Sequence, residues 1–274
     1  MKNNSNINNS IIDKSAQNVL NMIDRMANSD DERKRKSIPS LIIITDDGYE
    51  MTAFGKKYGK IIETSKLFDV KGLKTFLELV FPKDNPRDES LFYSSPQRVA
   101  SIRNRFYGTM LISFEEFKGS DLLQSESFKN LLGFIEENKE NIRFIFRVLP
   151  GFTMKKQLAT KLGENLNILE VVIEKPQNEV AYGYVLRELK ELNYRVDEAN
   201  VELLKQTLSQ IIRQENYCGY KTLNNVIKKI NYEMMISENS NDGIITSETI
   251  EKLGWKLAEE ISLNKTENRI GFHI

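Results

Sequence analysis

The chain has one cysteine and one histidine in 274 residues. A lone cysteine, Cys218, excludes an intrachain disulfide and suits a reducing compartment, so a cytoplasmic location is expected. The single imidazole, His273, stands beside the carboxyl end, which argues against a His-dependent nucleophilic triad and a His/Cys zinc site. Charge of one sign is also missing: 39 basic residues meet 39 acidic ones. Without a basic surplus there is no general drive towards nucleic acid or anionic membrane. No apolar run approaches the roughly eighteen residues that a bilayer span requires. The opening segment "MKNNSNINNSIIDKS" lacks the apolar core of a secretory signal.

What remains is a chain 40% apolar and 28% charged, enough for one sizeable α/β domain and a small second one. Residues 1–9 are rich in Asn and Ser, a composition that builds no core. Over 11–28, Ile12, Val19, Met22, Ile23 and Met26 recur at helical spacing. "SDDERKRKSIPS" follows as a charged linker. Its Arg33–Lys36 cluster reads as a solvated loop beside its own acids rather than as a phosphate contact.

From Ile38 strand and helix patterns alternate, the mark of a parallel sheet covered by helices on both faces. The expected strands are "LIIIT" (41–45), the weaker "FLELVF" (76–81), "TMLISF" (109–114), "IRFIFRVL" (142–149) and "ILEVVIEK" (168–175). Helices are expected near 51–67, 95–106, 125–138 and 153–162. After Pro176 the pattern turns helical, over 178–193, 197–215 and 221–235, with Asp197 placed to cap the second. A polar linker (237–243) precedes a last helix with Thr246 at its N-cap. The expected organisation is an N-terminal tail and helix (1–37), an α/β domain (38–177), and a helical lid domain with a C-terminal tail (178–274).

A buried strand, a polar turn and a helix start place "TDDGYEMT" (45–52) where phosphate loops are found. Such a loop uses glycines to aim backbone N–H groups, a lysine for charge, and Ser/Thr for Mg²⁺. The competing reading is a plain polar turn whose acids suit a helix start. "GKKYGK" (55–60) is one residue short of the motif and lies inside a predicted helix, so it is rejected.

In order and spacing, these segments resemble an AAA+ ATPase module over residues 38–255, most like the branch that holds the red-type Rubisco activases and the stage V sporulation ATPases. "YGKIIETSKLF" (58–68) is similar to that branch's "GKIY"-like helix ending, and "YGTMLISFEEF" (107–117) to its "GGVLFIDEAY" strand. "FIFRVLPGFTMKKQL" (144–158) is similar to the sensor-1 strand, and "ENLNILEVVIEKP" (164–176) to the arginine-finger segment. "YRVDEANVELL" and "CGYKTLNNVIKKI" resemble the lid and its sensor-2 helix.

The resemblance implies a P-loop NTPase-like (AAA+) five-stranded parallel sheet followed by a small all-α lid. It also implies a degenerate phosphate loop. Counting back from Gly59, Thr45 replaces the first glycine, Glu50 the third and Met51 the lysine. Gly48 and Thr52 are retained, and Asp46, Asp47 and Tyr49 fill the remaining positions. The Walker B acids correspond to Ser113 and Phe114; a slip of two would bring in Glu115 and Glu116, which otherwise read as exposed acids after a strand. Arg147 and Val148 are nearest to sensor 1, Asn167–Ile168 stand at the arginine finger without an arginine, and Lys221 occupies the sensor-2 position. Lys221 carries charge without a bidentate fork, and also reads as a surface lysine at a helix start.

The expectation is a catalytically inactive AAA+-like protein with no catalytic residues, no cofactor and no metal. It would serve in a homo- or hetero-oligomeric protein assembly, away from membranes. A non-hydrolysing DNA-associated subunit, of the clamp-loader or initiator kind, is the alternative; an ATPase using an unrecognised site is a third. Nucleic-acid binding is not favoured. Arg98, Arg103 and Arg105 near Phe106 and Tyr107 read either as a partner patch or as an ordinary exposed helix. "RIGFHI" at the end reads as docking on another chain or packing back. Cys218 reads as a small buried residue.

Overall fold

Runs of β-branched and aromatic residues too short for helices form strands covered on both faces. The computed structural model describes residues 14–46, 48–65, 67–68, 76–81, 107–114, 122–236 and 242–253. Two compact units divide the chain: Met1–Thr45 with Tyr49–Glu174, and Asp46–Gly48 with Lys175–Ile274.

The first unit contains α1 (Lys14–Ala27), α2 (Glu32–Lys36), β1 (Ser40–Ile44), α3 (Met51–Thr64), β2 (Phe76–Phe81), β3 (Gly108–Phe114), α4 (Glu126–Asn138), β4 (Ile142–Val148), α5 (Lys155–Gly163) and β5 (Ile168–Val172). The strands form one parallel sheet in the order β2-β3-β4-β1-β5. Leu41 pairs with Ile145 on one side of β1 and Leu169 on the other, which fixes the register of the central strands. The connection leaving β1 runs to one edge and that leaving β4 to the other, so the chain reverses at the carboxyl ends of β1 and β4. In parallel α/β sheets such a reversal opens a crevice.

Strand side chains alternate between faces. Ile42, Ile44, Met110, Ile112, Phe144 and Phe146 pack with Phe128, Leu131 and Ile135 of α4 and with Leu158 and Leu162 of α5. Burying each such side chain contributes about 1.5–3 kcal/mol. Leu41, Ile43, Leu111 and Ile145 serve the opposite face, where α3 packs along β3 and α1 packs on α3. Tyr58 of α3 is fully buried there, and its hydroxyl donates to Pro39 O at 2.6 Å. Gly55 lets α3 approach β2: a β-carbon at 55 would stand 2.3 Å from the Phe76 ring.

Several expectations are corrected. The buried stripe of α1 is Ala16, Leu20, Ile23 and Ala27, and Met22 is exposed. The packed face is thus centred on Leu20 and Ile23 with an alanine at each end, and Val19 and Met26 are only half-buried beside it. The Arg33–Lys36 segment is a short helix capped by Asp31, whose Oδ1 accepts from the Arg33 N–H at 2.9 Å. The weaker strand expected at 76–81, by contrast, is borne out, at the sheet edge. The helix expected at 95–106, together with Glu115, Glu116 and His273, lies outside the described residues.

In the second unit, α6 (Asn178–Glu191), α7 (Val201–Ile212), α8 (Tyr220–Ile236) and α9 (residues 247–253) follow the expected helical pattern. α6 packs on both α7 and α8. This unit is not all-α: β6 (Arg195–Val196) and β7 (Ile244–Ile245) form a two-residue parallel pair. Asp197 makes no capping hydrogen bond, because a 3₁₀ turn over Glu198–Asn200 intervenes before α7. Thr246 stands at the expected cap of α9, its carbonyl accepting from the Ile250 N–H at 3.3 Å.

Candidate functional site

The segment 45–52 begins where β1 ends. Thr45 is fully buried; its N–H donates to Val148 O at 3.1 Å, and its hydroxyl has no hydrogen-bond partner. The chain leaves the first unit for residues 46–48 and returns at Tyr49, which is buried. Glu50 precedes α3, is exposed and makes no side-chain cap bond. Met51 opens the helix with its side chain buried. Thr52 is exposed, and its hydroxyl donates to Glu78 Oε2 of β2 at 2.8 Å.

At the carboxyl end of β3, Ser113 and Phe114 are both buried. Ser113 pairs in register with Arg147 of β4. Phe114 packs against the rings of Phe81, Phe146 and Phe152, with centroids 5.1, 6.3 and 6.4 Å away. The position compared with a water-orienting acid is therefore part of an aromatic core. Arg147 and Val148 are buried at the end of β4. Asn167 lies at the other end of the sheet, where its Nδ2 donates to Ser37 O at 2.9 Å. Among the described residues no group of three or more His, Cys, Asp and Glu could hold a metal ion.

The second unit contains the rest of the loop. Asp47 lies outside the described residues. The Asp46 carboxylate is buried, 7% exposed, and packs directly on Gly219: a β-carbon at 219 would stand 1.6 Å from Asp46 Oδ2. Gly219 has φ +58° and immediately precedes α8, and its carbonyl accepts from the Leu223 N–H at 3.1 Å. The Asp46 charge is thereby held at the start of α8, where the helix dipole favours an anion. Gly48 has φ +105°, and a β-carbon on it would stand 2.6 Å from the Lys221 backbone nitrogen. Its carbonyl accepts from Asn224 Nδ2 at 3.3 Å, and Asn224 Oδ1 accepts from the Tyr184 hydroxyl. Gly48 thus seats the backbone against the first turn of α8.

Lys175 Nζ donates to Tyr217 O at 2.8 Å, and the Tyr217 hydroxyl donates to Pro176 O. Burial, followed by the negative charge of Asp46, pushes the Tyr217 phenol above its ordinary range. Cys218, between buried Tyr217 and Gly219, is exposed rather than buried. Its N–H donates to Thr222 Oγ1 at 2.9 Å, which holds the turn while the flanking residues take the interior places.

The structure brings together Asp46, Gly48 and Lys221, with Lys221 contributing its backbone. It groups Thr45 with Val148 and places Ser113 opposite Arg147. Gly219, Asn224 and Tyr217 were missed from sequence. Their signal was the "YCGY" turn (217–220), whose glycine precedes a helix rather than following one.

No curated protein matches the chain in sequence. The Recombinase family model matches residues 164–260, less than half of the chain. Among solved structures, the Thermotoga maritima RuvB Holliday junction branch migration motor is similar at 10% identity over 88% of this chain and 68% of its own, with a TM-score of 0.54. An A-to-S mutant of that motor gives a TM-score of 0.55 at 10% identity, over 88% and 68% of the two chains. A closed state of Hsp104, with ATPγS and casein, is similar at 11% identity over 88% of this chain and 42% of its own, with a TM-score of 0.50. The five-stranded parallel sheet with flanking helices matches the fold of these structures, the AAA+ P-loop arrangement.

Proposed function

We propose that the chain is a catalytically inactive AAA+-like protein that acts as a structural or regulatory subunit of a protein assembly, with an active AAA+ ATPase as its natural partner. The observation that carries this reading is the packing of Asp46 and Gly48 onto residues 219–221. In the resemblance, the loop and the sensor-2 helix hold the polyphosphate from two sides. Here the loop's own carboxylate and backbone are seated on the start of that helix. Asp46, Asp47 and Glu50 add negative charge, and Met51 supplies none in return. Two unit charges about 4 Å apart repel by roughly 4 kcal/mol at an effective dielectric of 20. Phe114 and Ser113 supply neither a carboxylate for magnesium nor a base to orient water. These residues do not fit a Mg–ATP complex, which supports a role for the fold in assembly rather than in hydrolysis.

Calorimetric titration with ATP and Mg²⁺ tests the proposal. No binding heat and no phosphate release are expected; micromolar affinity or turnover overturns it. A second reading, a non-hydrolysing DNA-associated subunit, draws on the likeness to a Holliday junction motor. Zero net charge counts against it. Salt-sensitive DNA binding at near-physiological ionic strength would favour it over the first.

A further inference from the structure

At the amino-terminal edge of the sheet, opposite the end that carries the loop, the first unit has a cavity of about 180 Å³. Arg143, the second residue of β4, forms part of its wall. The arginine is 9% exposed, so its guanidinium charge is held almost entirely out of water. Its partners are backbone carbonyls and a ring: Nη1 donates to Lys139 O at 3.0 Å and Ile142 O at 3.5 Å, Nη2 to Lys36 O at 3.4 Å, and the group stands 5.5 Å from the Phe68 centroid. Nε has no hydrogen-bond partner. Among the described residues no carboxylate comes within ion-pair distance of it. Burial lowers its pKa, which is the mark of a charge short of compensation. A buried charge without a counter-ion costs several kcal/mol, so an anion in the adjoining space would be stabilising.

The rest of the wall suits one. Lys36 and Lys139 join Arg143, against a single carboxylate, Glu140. Each lysine is held by an acid one helical turn before it, Lys36 by Glu32 at 2.7 Å and Lys139 by Glu136 at 2.9 Å. The Lys36 pair is exposed and the Lys139 pair partly so; such pairs are worth little, so either ammonium can turn inwards at small cost. Ser40 Oγ accepts from the Phe144 N–H at 3.1 Å, which leaves its own proton to donate. The volume is well below the roughly 300 Å³ at which pockets begin to hold drug-sized ligands. That space suits one tetrahedral oxyanion better than a whole nucleoside triphosphate.

We propose that this cavity is an oxyanion site for a phosphate group, free or as a small monoester, held by Lys36, Lys139 and Arg143. The test is calorimetry and thermal melting of the full chain with inorganic phosphate, with chloride matching the ionic strength. Saturable binding and a rise in Tm beyond that in chloride are expected. The double variant Lys36→Glu, Lys139→Glu keeps the fold, because both side chains reach solvent, and should lose at least about tenfold in affinity. Glycerol 3-phosphate distinguishes the sources: binding tighter than phosphate assigns a monoester, and equal binding assigns the free ion. No shift beyond chloride, or full affinity in the double variant, overturns the proposal.

Discussion

Asp46 Oδ2 occupies the space that a β-carbon on Gly219 would need, at 1.6 Å. The two residues are far apart in sequence, yet each dictates the other. Gly219 also has φ +58°, where an L side chain costs about 1 kcal/mol. Gly219→Ala should therefore destabilise the second unit by about 2–4 kcal/mol in urea denaturation. The loss should shrink when Asp46 is shortened to Ala in the same chain, since the steric part then disappears. Strict additivity of the two changes would show that the contact does not exist in solution.

Met51→Lys should not restore nucleotide binding. The side chain at 51 is 4% exposed, so a lysine there has to desolvate its charge or force its way out. Asp46 and Glu50 would remain. The expected outcome is a lower Tm and no binding heat with Mg–ATP. Recovery of micromolar affinity by this one change would show that a missing lysine, rather than a filled site, had been the obstacle.

The sheet was legible because "LIII" and "FIF" runs leave no solvent face. Even the edge strand with Glu78 at its centre was readable, since an edge position lets that acid meet Thr52 in solvent. What stayed hidden depends on non-local contacts. Arg195–Val196 and Ile244–Ile245 pair across most of the second unit, and two residues give no periodicity to detect. Asp197 had the right chemistry for a cap, but a 3₁₀ turn displaced the helix start. At the candidate site, the acids of "TDDGYEMT" were visible as charge, whereas the partner of Asp46 was not. Nothing near Gly219 in sequence announces that a carboxylate will rest on it.

Phe114→Ala should cost about 3–5 kcal/mol, because it removes a ring from a cluster with Phe81, Phe146 and Phe152. Phe114→Glu, the change that would recreate a Walker B-like acid, should cost more, since it buries an unpaired carboxylate. Chemical denaturation of both variants checks the order. An F114E protein as stable as the parent would mean that the end of β3 is open to water, and the reading of an aromatic core there would have to be abandoned.

Alkaline pH should destabilise the first unit through Tyr58. Burial raises its phenol above the ordinary value of 10.0, and the nearby Arg143 charge offsets this only in part. The hydroxyl is also committed to Pro39 O. Below pH 10 both folded and unfolded chains keep the proton, and the full contribution of the buried phenol is present. Above pH 10 the unfolded chain releases the proton while the folded one retains it. The folded state then binds more protons than the unfolded, and stability falls as pH rises. Tyr58→Phe should lose about 1 kcal/mol at neutral pH with the hydrogen bond, and its stability should decline less steeply between pH 10 and 11.5. Tyr217 is raised in the same direction and adds a parallel slope in the second unit. Urea titrations across that range, read for each variant, separate the two. An unchanged slope in Tyr58→Phe would show that the phenol is solvated and that α3 does not seal that face of the sheet.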